Sequence, residues 1–402
     1  MRQEVIADAC RRFGTPFYLL DLEEFREQIR SLRDVVGNRV QVWYAVKANP
    51  FLIRTAAAQG LKLEVCSPGE FAICGRLGIP MDEIVLSGVY KEEKEILRVL
   101  KTQEGRGTYT VESLSQLDML NRGARQIFGP DQSRKLRLLL RVTSGNQFGL
   151  DEEELCRIIR ERQKYPLLDL AGIQYYSGTQ KKGRIIKEEL EYLDELLKKL
   201  EREWGYRPRM LEYGPGLPVA YFQKDPTVSL KEQADALKEM LDGMEFDGRI
   251  TLELGRYLAA ACGCYVTRLV DEKVNRQISY GIVDGGIHHL NYYGQTMAMK
   301  LPFYQQLDGK TYQTRRQGRQ CEVTVCGALC TVSDVLVKRM PLYEPYLGDL
   351  LVFEKTGAYS ITEGIYLFLS RALPRVISWS GEEGLRLVRD ALDTSMFNGE
   401  SG

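Results

Sequence analysis

Lys47 is the residue of this chain best suited to covalent chemistry. It lies in residues 42–50, VWYAVKANP, where β-branched and aromatic residues predict a strand that stops at Asn49-Pro50. A lysine at the carboxyl end of a buried strand is desolvated, and desolvation lowers the pKa of its ammonium group. The neutral amine can then attack a carbonyl. The alternative is a strand-end lysine that extends its charged group into solvent.

Two further segments with chemical character also follow predicted strands. Gly214-Pro215-Gly216 comes after a strand at residues 210–213, and residues 253–256 (Glu-Leu-Gly-Arg) end a strand that begins at Arg249. Glycines at such positions let backbone N–H groups approach a phosphate. A lysine, a phosphate loop and a strand-end carboxylate together suit pyridoxal 5'-phosphate, because its chemistry needs an amine, a phosphate site and an acid at the pyridine nitrogen.

The elements that position these residues alternate regularly between strand and helix. From Val42 the sequence predicts eight strands, and Ser67/Glu70, Ser113/Gln116 and Asp151/Glu154 have the spacing of helix N-caps. This alternation predicts an α/β fold, a (β/α)8 TIM-like barrel over residues 36–258. The strands ascribed to residues 265–354 have no intervening helices, which predicts a C-terminal antiparallel β-sandwich or barrel domain. Residues 1–35 and 259–402 are assigned to this domain, with an amphipathic helix over residues 382–392.

Composition excludes several classes of function. Lysine plus arginine (55) equals aspartate plus glutamate (55), so no bulk charge attracts nucleic acid or an anionic membrane. Residues 1–14 lack the apolar core of a signal peptide, and the nine cysteines form no CxxC pair, which favours reduced thiols and a cytoplasmic location. With only two histidines, His288 and His289, a multi-histidine metal site is excluded and no metal is predicted.

Several motifs in one order resemble the fold-type III pyridoxal-phosphate decarboxylases, the group of diaminopimelate and ornithine decarboxylases. The matching segments, which extend over nearly the whole chain, are residues 44–49 (YAVKAN), 67–70 (SPGE), 172–180 (GIQYYSGTQ), 214–216 (GPG), 253–256 (ELGR), 330–334 (CTVSD) and 357–359 (GAY). The resemblance implies an alanine-racemase-like barrel, an amino-acid decarboxylase activity and pyridoxal 5'-phosphate as cofactor.

The resemblance also implies roles for individual residues. Lys47 would form the Schiff base with the cofactor, and Glu253 would face the pyridine nitrogen. Cys330 would protonate the decarboxylated carbon from the partner chain of a homodimer with shared active sites. The other cofactor-binding residues would be the ring-stacking Tyr176 and, around the phosphate, Thr179, Gly214, Gly216, Gly255, Arg256 and Tyr359.

Some of these residues have simpler interpretations when each is taken alone. Glu253 could be an ion-pair partner of Arg256, which is compatible with the cofactor role. Cys330 could be a small buried apolar residue, and Tyr359 could belong to a core or its rim. The joint pattern favours the functional interpretation.

Three departures from the family pattern bear on the substrate. Tyr176 replaces a histidine that stacks on the cofactor, and a tyrosine ring can stack but cannot become a cation at neutral pH. Thr331 replaces an acid that faces the distal ammonium of diamino substrates. Residues 284–295 lack the arginine-proline pair with which diaminopimelate enzymes bind a distal carboxylate. The predicted substrate-binding residues are Thr331, Asp334 and His288.

These departures resemble a smaller branch of the family, the butirosin-type decarboxylase of glutamate held by an acyl carrier protein. The branch implies an unusual or carrier-protein-tethered aminoacyl substrate in a biosynthetic pathway, and an acyl carrier protein as a partner. Two alternatives stay open at this point. One is an ordinary diaminopimelate, ornithine or lysine decarboxylase, and the other is a non-catalytic relative that only binds a partner.

Overall fold

The computed structural model of the protein describes residues 2–226, 229–292 and 297–400. Tyr293, Gly294 and Gln295, which end the segment 284–295 that lacks the arginine-proline pair, lie outside the described residues. The chain divides into two compact units. One, the barrel unit, comprises Ile29–Pro218 and Val228–Tyr257, and the other, the β unit, comprises Met1–Gln28, Val219–Thr227 and Leu258–Gly402.

The first elements of the chain are helix α1 (Gln3–Phe13), strand β1 (Phe17–Asp21) and helix α2 (Leu22–Val36). Parallel strands then close into a barrel, and the described part of the chain contributes eight of them. The barrel strands are β2 (Val40–Ala45), β3 (Lys62–Val65), β4 (Ile84–Leu86), β5 (Thr108–Val111), β6 (Leu136–Val142), β7 (Leu168–Tyr176), β8 (Met210–Gly214) and β9 (Arg249–Leu254). Pairing of β2 with β9, with Tyr44 opposite Leu254, closes the ring.

Helices connect successive barrel strands, as the alternation predicted. They are α3 (Ile53–Ala58), α4 (Pro68–Arg76), α5 (Glu93–Thr102), α6 (Leu114–Phe128), α7 (Glu152–Arg160), α8 (Gly183–Trp204) and α9 (Leu230–Asp242), followed by the four-residue α10 (Arg256–Ala259). The predicted N-caps are confirmed, because the side chains of Ser67, Ser113 and Asp151 each accept a hydrogen bond from the N–H three residues on. These caps determine where the helices begin after their strands.

The β unit contains one sheet, to which nine strands of the described residues belong. Besides β1 these are β10 (Gly263–Asn275), β11 (Ile278–Val283), β12 (Tyr304–Leu307), β13 (Gln320–Cys326), β14 (Val335–Tyr343), β15 (Leu350–Glu354), β16 (Arg375–Ser380) and β17 (Gly384–Arg389). Helix α11 (Ser395–Asn398) follows. Ile6 of α1 packs on this sheet in a core with Phe17, Val266 and Val352.

The predicted C-terminal β domain is confirmed, but the helix predicted in its tail is wrong. The sheet is mixed, since β1 pairs with β16 in parallel and β11 pairs with β13 in parallel, while its other ladders are antiparallel. The tail forms β17 instead of a helix, because it pairs with β16 as a hairpin in which Ser380 lies opposite Gly384. Leu385 then packs against the core, so tertiary pairing outweighs the helical spacing of the tail.

No helix within the described ranges is both long and apolar enough to cross a membrane.

Candidate active site

Lys47 lies immediately after barrel strand β2, on a single 3-10 turn formed by Val46–Ala48. Asn49 ends this turn, since its side chain accepts a hydrogen bond from the Phe51 N–H. The Lys47 Nζ atom lies 3.1 Å from Glu64 Oε2 and 3.1 Å from Glu253 Oε1. Its side chain is 35% exposed. The sequence correctly predicts the strand-end position, but the amine is ion-paired and partly exposed instead of desolvated.

Glu64 and Glu253 are buried carboxyl groups that hydrogen-bond each other as well as Lys47. Burial raises the pKa of Glu253 to about 7, the charge on Glu64 adds to this effect, and Lys47 opposes it. Burial also acts to raise the pKa of Glu64, but the charge of Lys47 and hydrogen bonds from Glu253, Lys47 and Cys66 outweigh it and lower this pKa to about 2. Glu64 is therefore the ionised partner of Lys47, whereas Glu253 can gain or lose a proton near neutral pH.

Glu212 on β8 adds a third buried carboxyl group to this region. Its Oε1 atom accepts a hydrogen bond of 3.1 Å from Gln174 Nε2, and its Oε2 atom has no hydrogen-bond partner among the described residues. Burial and the charges on Glu253 and Glu64 raise the pKa of Glu212 well above its usual value. These effects favour the protonated form of Glu212, because one ammonium group cannot compensate three charges in a poorly solvated interior.

Glu64 and Glu212 were not among the site residues predicted from the sequence. The signal was available, because each is the one carboxyl residue of an otherwise largely apolar barrel strand, KLEV in β3 and MLEYG in β8. Glu253 occupies the same kind of position in RITLEL of β9. An acid inside such a strand lacks solvent and needs either a partner or a proton, so it is a candidate for function.

Tyr176 is the last residue of β7, and its ring lies beside the lysine. The Lys47 Nζ atom is 5.6 Å from the centre of this ring. A Cβ atom added at Gly214 would lie 2.5 Å from Tyr176 Cδ2, so the ring requires a glycine at that position. Burial raises the pKa of the Tyr176 phenol, which therefore stays neutral.

The loops after β7 and β8 bring a hydroxyl group and a guanidinium group together. Arg256 Nε donates a hydrogen bond of 3.3 Å to Thr179 Oγ1. Gly216 has a positive φ of 58°, and a Cβ atom there would lie 2.2 Å from the Gly178 carbonyl oxygen. At Gly255 a Cβ atom would lie 2.7 Å from the Cβ of Ala48. Only glycine fits at positions 216 and 255, because a Cβ atom there would collide with its neighbours. The Arg256 guanidinium group and the Thr179 hydroxyl group suit a phosphate group.

The residues present fit pyridoxal 5'-phosphate. The lysine amine, a carboxyl group that titrates near neutrality, an aromatic ring and the glycine loops all belong to the barrel unit and lie at the ends of its strands. When bound, this cofactor supplies an electron sink for bond breaking at an amino-acid carbon. The protein supplies the binding groups and the charge around it.

Residues 22–260 match the family model described as pyridoxal-dependent decarboxylase, pyridoxal binding domain, which is more than half of the chain. The chain belongs to this family. Over 391 residues it is 28% identical to the L-glutamyl-[BtrI acyl-carrier protein] decarboxylase of Niallia circulans, covering 92% of this chain and 90% of that protein. Over 406 residues it is 24% identical to the diaminopimelate decarboxylase of Aquifex aeolicus, covering 96% and 92%.

Solved decarboxylase structures share the fold. The diaminopimelate decarboxylase of Methanocaldococcus jannaschii in complex with L-lysine has a TM-score of 0.82 and 22% identity, with 96% of this chain and 92% of that chain covered. The lysine/ornithine decarboxylase of Vibrio vulnificus with cadaverine has a TM-score of 0.78 and 21% identity, with 94% and 98% covered. The protein is thus a pyridoxal-phosphate-dependent amino-acid decarboxylase, and nothing in these comparisons favours the non-catalytic alternative.

The remaining predicted site residues of the decarboxylase belong to its β unit. Cys330 lies between β13 and β14 and is exposed, so its interpretation as a buried apolar residue is wrong. Thr331 donates its N–H to the Leu329 carbonyl at 2.8 Å and accepts a hydrogen bond from the Ser333 N–H. Both side chains are therefore on a tight surface turn of this unit.

The buried side chain of Asp334 stabilises the turn that carries Cys330 and Thr331. It is 2% exposed, and its two oxygens accept the N–H groups of Ile287 at 2.8 Å and Leu329 at 2.7 Å. These bonds connect the Cys330 turn to residues 284–290. This geometry gives Asp334 a positioning function in the decarboxylase, and its predicted contact with substrate stays a prediction.

His288 and Tyr359 occupy unusual environments. The His288 ring lies 3.8 Å from the ring of His289, and its buried Nδ1 atom has no hydrogen-bond partner in the described part of the chain. Burial lowers the pKa of His288 to about 4, so the ring is neutral at physiological pH. Tyr359 has a positive φ of 66°, a conformation that costs free energy for a residue with a side chain and that concentrates at functional sites.

Proposed function

We propose that this decarboxylase acts on an aminoacyl group tethered to an acyl carrier protein, with Lys47 holding the cofactor covalently. The observation that carries the assignment of Lys47 is its distance of 3.1 Å from Glu253 Oε1, a carboxyl group whose pKa burial raises to about 7. In the same proposal the aromatic ring of Tyr176 stacks on the ring of the cofactor. Its phosphate is assigned to Thr179, Gly214, Gly216, Gly255, Arg256 and Tyr359.

Glu253 is proposed to face the pyridine nitrogen. Because it titrates near neutral pH, it can share a proton with a basic nitrogen without a large free-energy cost. Glu64 stays ionised beside the lysine, so it balances the positive charge that develops around Nζ. The two acids therefore divide the tasks of proton sharing and charge compensation.

The substrate proposal rests on charge. Thr331 is neutral, and a hydroxyl group cannot compensate the desolvated distal ammonium of a free diamino acid, which would forgo a charge-assisted hydrogen bond of roughly 1.5–3 kcal/mol. An acyl link through the distal carboxyl group of an acidic amino acid makes that end neutral and leaves the α-carboxylate free to be released. A neutral Thr331 suits such an end. The relative from Niallia circulans, whose name describes a carrier-linked glutamyl substrate, supports the same assignment.

We further propose a cytoplasmic homodimer in which Cys330 acts in the neighbouring subunit's site. An exposed thiol on a surface turn is accessible to a second chain, as such sharing requires. All nine cysteines of the sequence are free in the structure, in keeping with a reducing compartment. Within this proposal residues 36–258 form the cofactor-binding domain, and residues 1–35 and 259–402 form the second domain.

The decisive measurement is carbon dioxide release from matched substrates. Purified enzyme with pyridoxal 5'-phosphate is given glutamate, lysine, ornithine and diaminopimelate as free amino acids. It is then given glutamate joined to an acyl carrier protein through its distal carboxyl group, because this link leaves the α-carboxylate free to be released. The unacylated carrier protein is the control. We expect turnover only with the carrier-bound substrate. Efficient decarboxylation of free lysine, ornithine or diaminopimelate would instead establish the ordinary decarboxylase, with its charge partner supplied by another acid.

A further inference from the structure

Lys181 and Glu189 form a buried ion pair next to the two loops assigned to the cofactor phosphate. Lys181 Nζ is 2.5 Å from Glu189 Oε2, and the two side chains are only 7% and 9% exposed. Neither residue is part of the site described above. Burial of an ion pair costs desolvation free energy that its mutual attraction often only balances, so such a pair is a weak source of stability and is better explained by a positioning function.

Lys181 connects the loop after β7 with the loop after β8. Its Nζ atom donates to the Gly214 carbonyl at 3.0 Å and lies 3.2 Å from Ser177 Oγ, while its backbone N–H donates to the Gly216 carbonyl at 2.9 Å. The Gly214–Gly216 segment is therefore held at both ends by one residue. Thr179, which receives the Arg256 hydrogen bond, is only two positions before it in the chain.

Glu189 of helix α8 holds the lysine in this position. Its Oε2 atom also accepts a hydrogen bond of 2.6 Å from Tyr213 Oη, and its Oε1 atom accepts one from Ser177 Oγ. The carboxylate thus has a partner on β8, on the loop after β7 and on Lys181. Because all these donors converge on one rigid helix, movement of either glycine loop would break a charge-assisted hydrogen bond.

We propose that Ser177, Lys181, Glu189 and Tyr213 form a clamp that sets the affinity of the enzyme for the phosphate group of its cofactor. The clamp acts by positioning the loops that carry Thr179, Gly214 and Gly216, and none of its members needs to contact the phosphate. The inference rests on the proposed assignment of these loops to the phosphate.

Replacement of Lys181 by methionine tests the clamp. Lys181→Met keeps the length of the side chain and the backbone bond to Gly216, but it removes the bonds to Glu189, Gly214 and Ser177. The double variant Lys181→Met/Glu189→Gln removes both charges, so no unpaired carboxylate stays buried. Lys182→Met is the matched control, because Lys182 is exposed and is the next residue in the chain.

The readout is the dissociation constant of the cofactor-free enzyme for pyridoxal 5'-phosphate and for pyridoxal, which lacks the phosphate. Both are measured by absorbance titration. We expect both Lys181 variants to lose about tenfold or more in affinity for pyridoxal 5'-phosphate and less than about twofold for pyridoxal, since the clamp supports only the phosphate loops. Lys182→Met should bind both ligands as the parent does.

Equal losses for the two ligands, or no loss in a variant with a parental melting curve, would overturn the clamp. If Lys181→Met alone does not fold, the double variant provides the test, because it leaves no unpaired buried charge. A failure of the underlying assignment has a different signature. In that case Thr179→Ala, which changes a residue assigned to the phosphate but leaves the clamp intact, would bind pyridoxal 5'-phosphate as tightly as the parent does.

Discussion

Lys47 Nζ lies 3.1 Å from Glu253 Oε1, although 206 positions separate the two residues in the chain. Their contact arises because β2 and β9 are the first and last strands of the barrel and pair in parallel when it closes. Glu64 reaches the same amine from β3. The barrel therefore places one ammonium between two acids that have very different proton affinities.

The first prediction is that Lys47→Ala lowers kcat by roughly a thousandfold or more, since no other group can replace the amine in covalent cofactor chemistry. Borohydride reduction of the cofactor-loaded parent, followed by peptide mapping, should label the peptide that contains Lys47. Lys62→Ala is the control, because Lys62 is a β3 lysine whose ammonium donates to the Asp82 carbonyl, and it should behave as the parent. A label on another lysine contradicts the assignment.

The second prediction concerns Glu253. Glu253→Gln should retain the cofactor and lower kcat about a hundredfold, because an amide cannot share a proton with the ring nitrogen. Cofactor absorbance and steady-state kinetics measure the two effects separately. Glu239→Gln, on the exposed face of α9, should leave both unchanged. Parental turnover of Glu253→Gln would mean that this carboxyl group serves only the structure.

The third prediction concerns Cys330 and the dimer. Mixing Lys47→Ala chains with Cys330→Ala chains should restore activity, because one of the two sites in each mixed dimer then has both residues intact. Equal statistical mixing makes half of the dimers mixed, so about a quarter of the parental activity is expected. Subunit exchange is verified by tagging one chain. No recovery despite exchange would mean that each site takes both residues from a single chain.

The fourth prediction is that Thr331→Asp shifts substrate preference toward amino acids with a distal ammonium. A new carboxylate gains a charge-assisted hydrogen bond with such a substrate and repels acidic ones, so the ratio of kcat/KM values should change by roughly ten- to hundredfold. Thr331→Asn is the matched control of similar shape without the charge. An equal response of the two variants would show that charge at this position does not select the substrate.

The fifth prediction is a pH dependence of stability due to His288. Burial lowers its pKa from 6.5 to about 4, so the unfolded chain binds more protons than the folded chain between these values. The neutral His288 ring therefore makes its full contribution to the free energy of unfolding above pH 6.5, and this contribution falls as the pH drops toward 4. Between pH 7 and pH 5 the cofactor-free parent should lose about 2 kcal/mol more unfolding free energy than His288→Gln. Urea unfolding at both pH values measures this difference, and identical losses would contradict it.

The sequence alone was sufficient to predict the (β/α)8 barrel. Strand and helix alternate, and side chains such as Ser67 and Asp151 cap helices through contacts only three residues away, so local chemistry specifies these elements. The strand-end position of Lys47 follows from the same local rules. The residue types that the family shares could also be read directly, because their order along the chain does not depend on folding.

Only the tertiary structure revealed that two further carboxyl groups, besides the predicted Glu253, belong to the Lys47 site. Glu64 and Glu212 come from different strands, and the clamp around Lys181 joins two loops with a helix. The tail likewise became β17 because β16 was available as a pairing partner. Sequence periodicity reports which side of an element is buried, but not which other element it meets. Pairing, burial and the resulting pKa values depend on contacts between distant residues, and these exist only after the chain has folded.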